Sequence, residues 1–159
     1  MTREAKVDPL GVDARAAVKA LGLPAEVNVH LPNSVEELAQ QLKERVVSDE
    51  ALDSGLCWSS GQALHRERLR TQDVLCLTRL QKIEVDDDRG VVHAEAGALL
   101  VAVEAALRRS GWTLDVSFPR TLRVADALAG GPWSSTLRRR LMSLTWVSLD
   151  GRLHEGEAA

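Results

Sequence analysis

Two stretches of the chain repeat apolar residues at helical spacing. Val35, Leu38, Leu42 and Val46 fall on one stripe of a helix over Val35–Val47, and Leu99, Leu100, Val103, Ala106 and Leu107 do the same over about 98–109. The first is announced by Ser34 with Glu37 three residues on, the form of a capping box, and the second is followed by a stop at Gly111. Elsewhere the period is two. Residues 27–31 alternate as a short strand closed by Pro32. Segments 83–85 and 91–96 flank Asp86-Asp87-Asp88-Arg89-Gly90, acidic residues before a glycine that predict a hairpin. Residues 144–149 read as a strand that turns at Asp150-Gly151 and returns over 152–154.

The remaining segments carry weaker signals. Residues 1–12 read as a polar leader, and 13–21 as a short helix capped by Asp13 and stopped by Gly22. Residues 51–61 run from a strand end into a loop rich in serine and glycine, and 62–70 fit either a loop or one helical turn. Val74-Leu75-Cys76-Leu77 is a short buried run, continued at wider spacing by Leu80 and Ile83. Residues 112–118 admit an extended path bounded by Pro119, and 124–129 a third helix ending near Gly130-Gly131-Pro132. Helices and strands alternating with two hairpins imply an α+β or mixed domain, not a bundle or sandwich.

Composition narrows this picture. A chain of 159 residues, 45% hydrophobic, is long enough for one compact domain or two small subdomains, but not for a separate substrate domain as well. A net charge of -3 argues against nucleic acid as a partner. With four Trp, one Phe and no Tyr, the core must rest on Leu, Val and Ala. Cys57 and Cys76 are expected to be reduced and buried. The polar N-terminus does not read as a signal peptide and no stretch has a membrane helix's run of apolar residues, so the expected location is cytoplasmic, without membrane contact.

Several segments, in order, form a pattern with a familiar look. These are Pro32-Asn33-Ser34-Val35-Glu36-Glu37-Leu38, then Leu75-Cys76-Leu77-Thr78-Arg79-Leu80-Gln81-Lys82-Ile83-Glu84-Val85-Asp86, then His93-Ala94-Glu95-Ala96-Gly97-Ala98, and last Val147-Ser148-Leu149-Asp150-Gly151-Arg152. Together they resemble the FAD-binding domain of the vanillyl-alcohol oxidase and p-cresol methylhydroxylase type, with glycolate oxidase among its members. The resemblance covers residues 24–154. It implies a two-subdomain α+β fold, the first subdomain over 24–85 and the second over 86–159 after a leader and short helix at 1–23, with the cofactor cleft between them and the substrate-binding cap domain absent.

The same resemblance locates departures where the cofactor would sit. The family's first phosphate loop, R-G-G-G-x-S, aligns with Ser54-Gly55-Leu56-Cys57-Trp58-Ser59, so that Leu56 and Cys57 put side chains where glycines let backbone N–H groups reach pyrophosphate. Trp58 stands where some relatives carry a histidine bonded to the flavin ring, so attachment there is not expected. The second loop, T-V-G-G-x-L-A, aligns with 123–129, which sets Asp126 in place of a glycine against a doubly charged group. A shifted register would instead offer Gly130 and Gly131, with Arg120, Arg123 or Arg138 supplying charge. The candidate cofactor-binding residues are therefore Gly55, Ser59, Gly97, Gly130 and Gly131, of which Gly55 and Gly97 also fit plain turn roles.

Other chemistry is weakly signalled. No CxxC or HxxxH spacing suggests a metal, no GxSxG surrounds Ser59-Ser60 or Ser134-Ser135, and no Cys–His spacing activates Cys57. No catalytic residue is assigned. Trp133 beside Pro132, with Arg138 and Arg139, is the candidate interaction surface, tryptophan and arginine being the common anchors of protein interfaces. The expectation is a non-catalytic or cofactor-poor relative of an FAD-binding oxidoreductase domain, binding no cofactor and acting as a structural or protein-interaction module through a partner or self-association. The alternative is an FAD-binding subunit of a multi-chain oxidoreductase acting on a hydroxy acid or alcohol, with FAD as cofactor.

Overall fold

The capping box forms with its return bond shifted by one residue. In a computed structural model that describes residues 19, 22, 27–47, 56–59, 73–130 and 134–157 (for 28, 45–47, 56–59 and 73 the backbone alone), α1 spans Val35–Val47. The Ser34 hydroxyl accepts the Glu37 N–H at 3.2 Å. The Glu37 carboxylate reaches back one residue further than the usual box, to the Asn33 N–H at 2.8 Å and its side-chain amide at 2.9 Å. Glu36 and Glu37 also place negative charge at the positive end of the helix. Of the short helix expected over 13–21, Lys19 alone is described. Lys19 is helical, and Gly22, at φ +68°, donates to its carbonyl.

The strands β1 (Asn28–His30), β2 (Leu56–Ser59) and β3 (Asp73–Cys76) form a parallel sheet in the order β1-β3-β2. Val29 pairs with Val74, and Cys57 with Val74 from the other side. The central strand has neighbours on both edges and its residues Val74, Leu75 and Cys76 are buried, as the unbroken apolar run requires. Cys76 is a free, buried thiol in contact with the Thr78 hydroxyl.

The predicted hairpin is β4 (Ile83–Asp86) and β5 (Val91–Ala94), antiparallel with Glu84 opposite His93. Gly90 takes φ +64° in its turn, and the Trp112 ring lies over it so closely that a Cβ would sit 3.0 Å from the indole. Helix α2 runs Leu100–Arg109 and buries Leu100, Val103, Ala106 and Leu107. It starts two residues later than the periodicity suggests. The reason is tertiary: Leu99 forms an antiparallel bridge with Arg123, so the backbone there is extended and Leu99 itself becomes the N-cap. At the other end Gly111, φ +80°, donates to Arg108 and Trp112 donates to Leu107, the paired bonds of a Schellman stop.

Residues 112–118 form no strand. Asp115 has φ +50°, and the segment is held by the Glu104 carboxylate instead of by a ladder. Helix α3 (Val124–Ala129) follows as expected, and then a five-residue helix α4 (Ser134–Arg138) that the sequence pattern did not announce. The last hairpin is β6 (Ser143–Val147) with β7 (Leu153–Glu157), displaced from the expected 144–149 and 152–154. Its turn is wider because Ser148 is drawn out of the strand. The Ser148 hydroxyl bonds Asp150, and its N–H donates to Arg152 at 2.9 Å.

Two apolar clusters meet around α2. Ala98, Val103 and Leu107 pack on Ile83, Val85, Val92 and Ala94 of the β4-β5 hairpin, while Leu100, Leu122, Ala127 and Leu137 join α2 to α3 and α4. The β6-β7 turn meets α1, for a Cβ at Gly151 would lie 2.8 Å from the Lys43 N. The architecture is α+β, with one parallel and two antiparallel sheets among the described residues.

Candidate cofactor-facing site

Three segments converge around Gly97 and the start of α3, two of the places the resemblance gives to the cofactor: the turn 77–80 after β3, the loop 95–99 before α2, and the start of α3 itself. Leu80 donates to Leu77 to close the turn at 3.1 Å, Gly97 donates to Leu80 at 2.8 Å, and Glu95 donates to Lys82 at 3.0 Å. From the other side Leu100 donates to Leu122 at 2.9 Å, Val124 to Ala98 at 3.0 Å and Ala125 to Ala96 at 2.9 Å. The Arg123 guanidinium bonds the Gly97 carbonyl.

This junction decides what Gly97 is for. Gly97 is buried, and a Cβ on it would overlap the Leu77 carbonyl oxygen and lie 2.9 Å from that of Leu80. The space a side chain would fill is taken by protein backbone. A glycine that cradles an anion faces a gap of ligand size, whereas this one lets two loops touch. The first N–H groups of α3, the ones a helix could aim at a phosphate, are held by the Ala96 and Ala98 carbonyls. Asp126 lies in the first turn of α3, so the protein's own carboxylate stands at that helix start. The described residues of this junction do not fit a pyrophosphate.

The other candidates are scattered. Gly130, at the C-terminal end of α3, is extended and exposed with open space where a Cβ would be. Arg138 donates to the Leu128 carbonyl at 2.8 Å and so caps α3, while Arg139 is exposed at the end of α4. Ser59 is the last residue of β2, opposite Cys76. Gly55, Gly131 and Trp133 lie outside the described residues. No cluster of three or more His, Cys, Asp or Glu suited to a metal occurs among the described residues.

Sequence reasoning missed two polar groups that tie loops to helices. Glu104 on α2 accepts from Arg108 at 2.6 Å, the Thr113 hydroxyl at 2.7 Å and the Leu114 N–H at 2.8 Å. Burial opposes its ionisation, but the bonds from Arg108, Leu114 and Thr113 outweigh it and hold the carboxyl below its ordinary value. The Glu104–Arg108 spacing of four was the available signal. Arg79, in the turn after β3, donates to the Asn33 side chain at 3.1 Å and ties that turn to the start of α1. No local spacing announces a bond across 46 residues.

No family model matches the sequence, and no curated protein matches it significantly. Solved structures do. A berberine bridge enzyme variant described as a reticuline dehydrogenase is similar over 99% of this chain and 34% of its own, with a TM-score of 0.66 at 15% identity. The grass pollen allergen Phl p 4, described as having glucose dehydrogenase activity, is similar over 96% and 34%, with a TM-score of 0.64 at 18% identity. Glucooligosaccharide oxidase from Acremonium strictum, an enzyme with cysteinyl and histidyl FAD, is similar over 82% and 29%, with a TM-score of 0.63 at 18% identity. The chain thus shares its fold with these enzymes and spans about a third of their length.

Proposed function

We propose that this chain is a cofactor-poor relative of the FAD-binding domains whose fold it shares, serving as a structural or protein-interaction module and not as a redox catalyst. The observation that carries this reading is the closed junction at Gly97: the backbone groups at the start of α3 are spent on Ala96 and Ala98, and the gap beside Gly97 is filled by Leu77 and Leu80. A flavin supplies its own redox chemistry and needs from the protein a fitted, oriented site. The test is a visible absorbance spectrum of the purified protein, repeated after incubation with excess FAD and desalting. A protein that stays colourless supports the reading; retained flavin absorbance overturns it.

A second reading is an FAD-binding subunit of a multi-chain oxidoreductase acting on a hydroxy acid or alcohol. It is favoured by the likeness to glucooligosaccharide oxidase, an FAD-carrying enzyme, over 82% of this chain. On that reading the phosphate is bound through Gly130, Gly131 and the loop containing Gly55, and the purified protein is yellow. Asp126→Gly separates the two. Gain of FAD retention in that variant alone identifies Asp126 as an obstacle and supports the lost-site reading, whereas flavin held equally by both proteins supports the alternative.

A further inference from the structure

The β6-β7 hairpin is unlike the rest of the fold. It is a sheet of two strands among the described residues, and it holds most of the exposed large apolar side chains: Met142, Leu144, Trp146, Leu149 and Leu153. Leu144 and Trp146 share one face, where Trp146 stacks on His154 across the ladder with ring centroids 5.3 Å apart. A two-stranded hairpin is marginal in water, and an apolar row on it asks for a cover.

Its two outer edges differ in chemistry. Natural edge strands are guarded by charge, proline or bulges against pairing with another chain. The β7 edge has such guards in Glu155 and Glu157, which in an antiparallel self-pairing about Glu155 would set carboxylate against carboxylate. The β6 edge has none, and residues 141–149, LMSLTWVSL, contain no charge, glycine or proline.

We propose that the β6 edge is a self-association surface on which β6 of a second copy of this chain pairs antiparallel about Thr145. The charges flanking the strand select that partner and that register. Pairing centred on Thr145 puts Ser143 opposite Val147 and Leu144 opposite Trp146. It also sets the turn that carries the exposed Arg140 ahead of one β6 beside the turn that carries the exposed Asp150 beyond the other, and by symmetry does so twice. Asp150 already accepts from Ser148 and pairs with Arg152 at 3.1 Å, and a carboxylate has lone pairs for a further donor. The contact is isologous, so it closes at two copies and does not grow into a fibre. It joins two hairpins into a four-stranded sheet with one continuous Leu144–Trp146 row. The proposal names the partner for the interaction reading and does not depend on whether FAD is bound, since its readout is mass and not colour.

Sedimentation velocity over a concentration series of the chain tests it. Wild type is expected to form a dimer. Arg140→Glu and Asp150→Lys should each weaken it about tenfold or more through like-charge contacts. An equimolar mixture of the two variants should recover the dimer to within about threefold of wild type, because one copy's Glu then meets the other's Lys while the native Asp–Arg pair is kept. Thr145→Lys, which sets ammonium against ammonium at the centre, should be monomeric, and Glu155→Lys on the guarded edge should not be. A wild type that stays monomeric, or a dimer that Thr145→Lys leaves intact, overturns the proposal.

Discussion

Leu77 and Gly97 touch backbone to backbone: the Leu77 carbonyl occupies the space where any side chain at Gly97 would begin. The contact joins the turn after β3 to the loop before α2, and the Gly97 N–H bonds Leu80 beside it. The glycine is therefore demanded by close approach rather than by its dihedral angle.

Gly97→Ala is accordingly expected to destabilise the protein by about 3 kcal/mol or more, because rigid backbone and not a flexible side chain must give way. Gly130→Ala, where open space surrounds the extended residue, should stay within about 0.5 kcal/mol of wild type. Urea denaturation of the two variants makes the comparison.

Gly111 and Gly151 both have positive φ, +80° and +76°, but only Gly151 lies against a neighbour, the α1 backbone at Lys43. Gly111→Ala should cost about 1 kcal/mol for the left-handed conformation alone. Gly151→Ala should cost clearly more and should loosen the β6-β7 turn from α1, read as faster amide exchange at 148–152.

Glu104 has its ionisation favoured in the folded state. A depressed folded value means that its contribution is fully present above the unfolded value near 4.5 and disappears as pH falls through the folded one. Glu104→Gln should thus cost about 1 to 2 kcal/mol at about pH 7, where the carboxylate meets Arg108, Thr113 and the Leu114 N–H. The gap between wild type and variant should narrow at about pH 3. Equal gaps in urea titrations at the two pH values would contradict the assignment.

The box at the start of α1 predicts an ordering. Ser34→Ala removes one bond and should cost about 1 kcal/mol. Glu37→Ala removes the acceptor of the Asn33 N–H, the Asn33 amide and the Gln41 amide, and should cost more, about 1 to 2 kcal/mol. Thermal unfolding by circular dichroism ranks the pair.

Much of this fold was legible in short-range pattern. The capping box, the stripe of α1, the Asp-rich hairpin turn at Gly90 and the Gly111 stop each depend on residues within one or two turns of each other, and each appears where the pattern puts it. The candidate site was less legible. Gly97 and Arg123 were both marked by the resemblance, but whether they face a phosphate or each other is a matter of which backbone groups approach across the fold. Trp133, Gly55 and Gly131 lie outside the described residues.

The sequence by itself determined α1 with its cap, the β4-β5 hairpin and the stop of α2, since propensity, periodicity and caps act over a few residues. Tertiary structure alone decided three things: that α2 begins at Leu100 because Leu99 is bridged to Arg123, that 112–118 is tied to Glu104 and not laddered, and that the gap beside Gly97 is closed by Leu77. Each is a hydrogen bond or close approach between groups distant in the chain, and its free energy depends on geometry that only the assembled fold supplies.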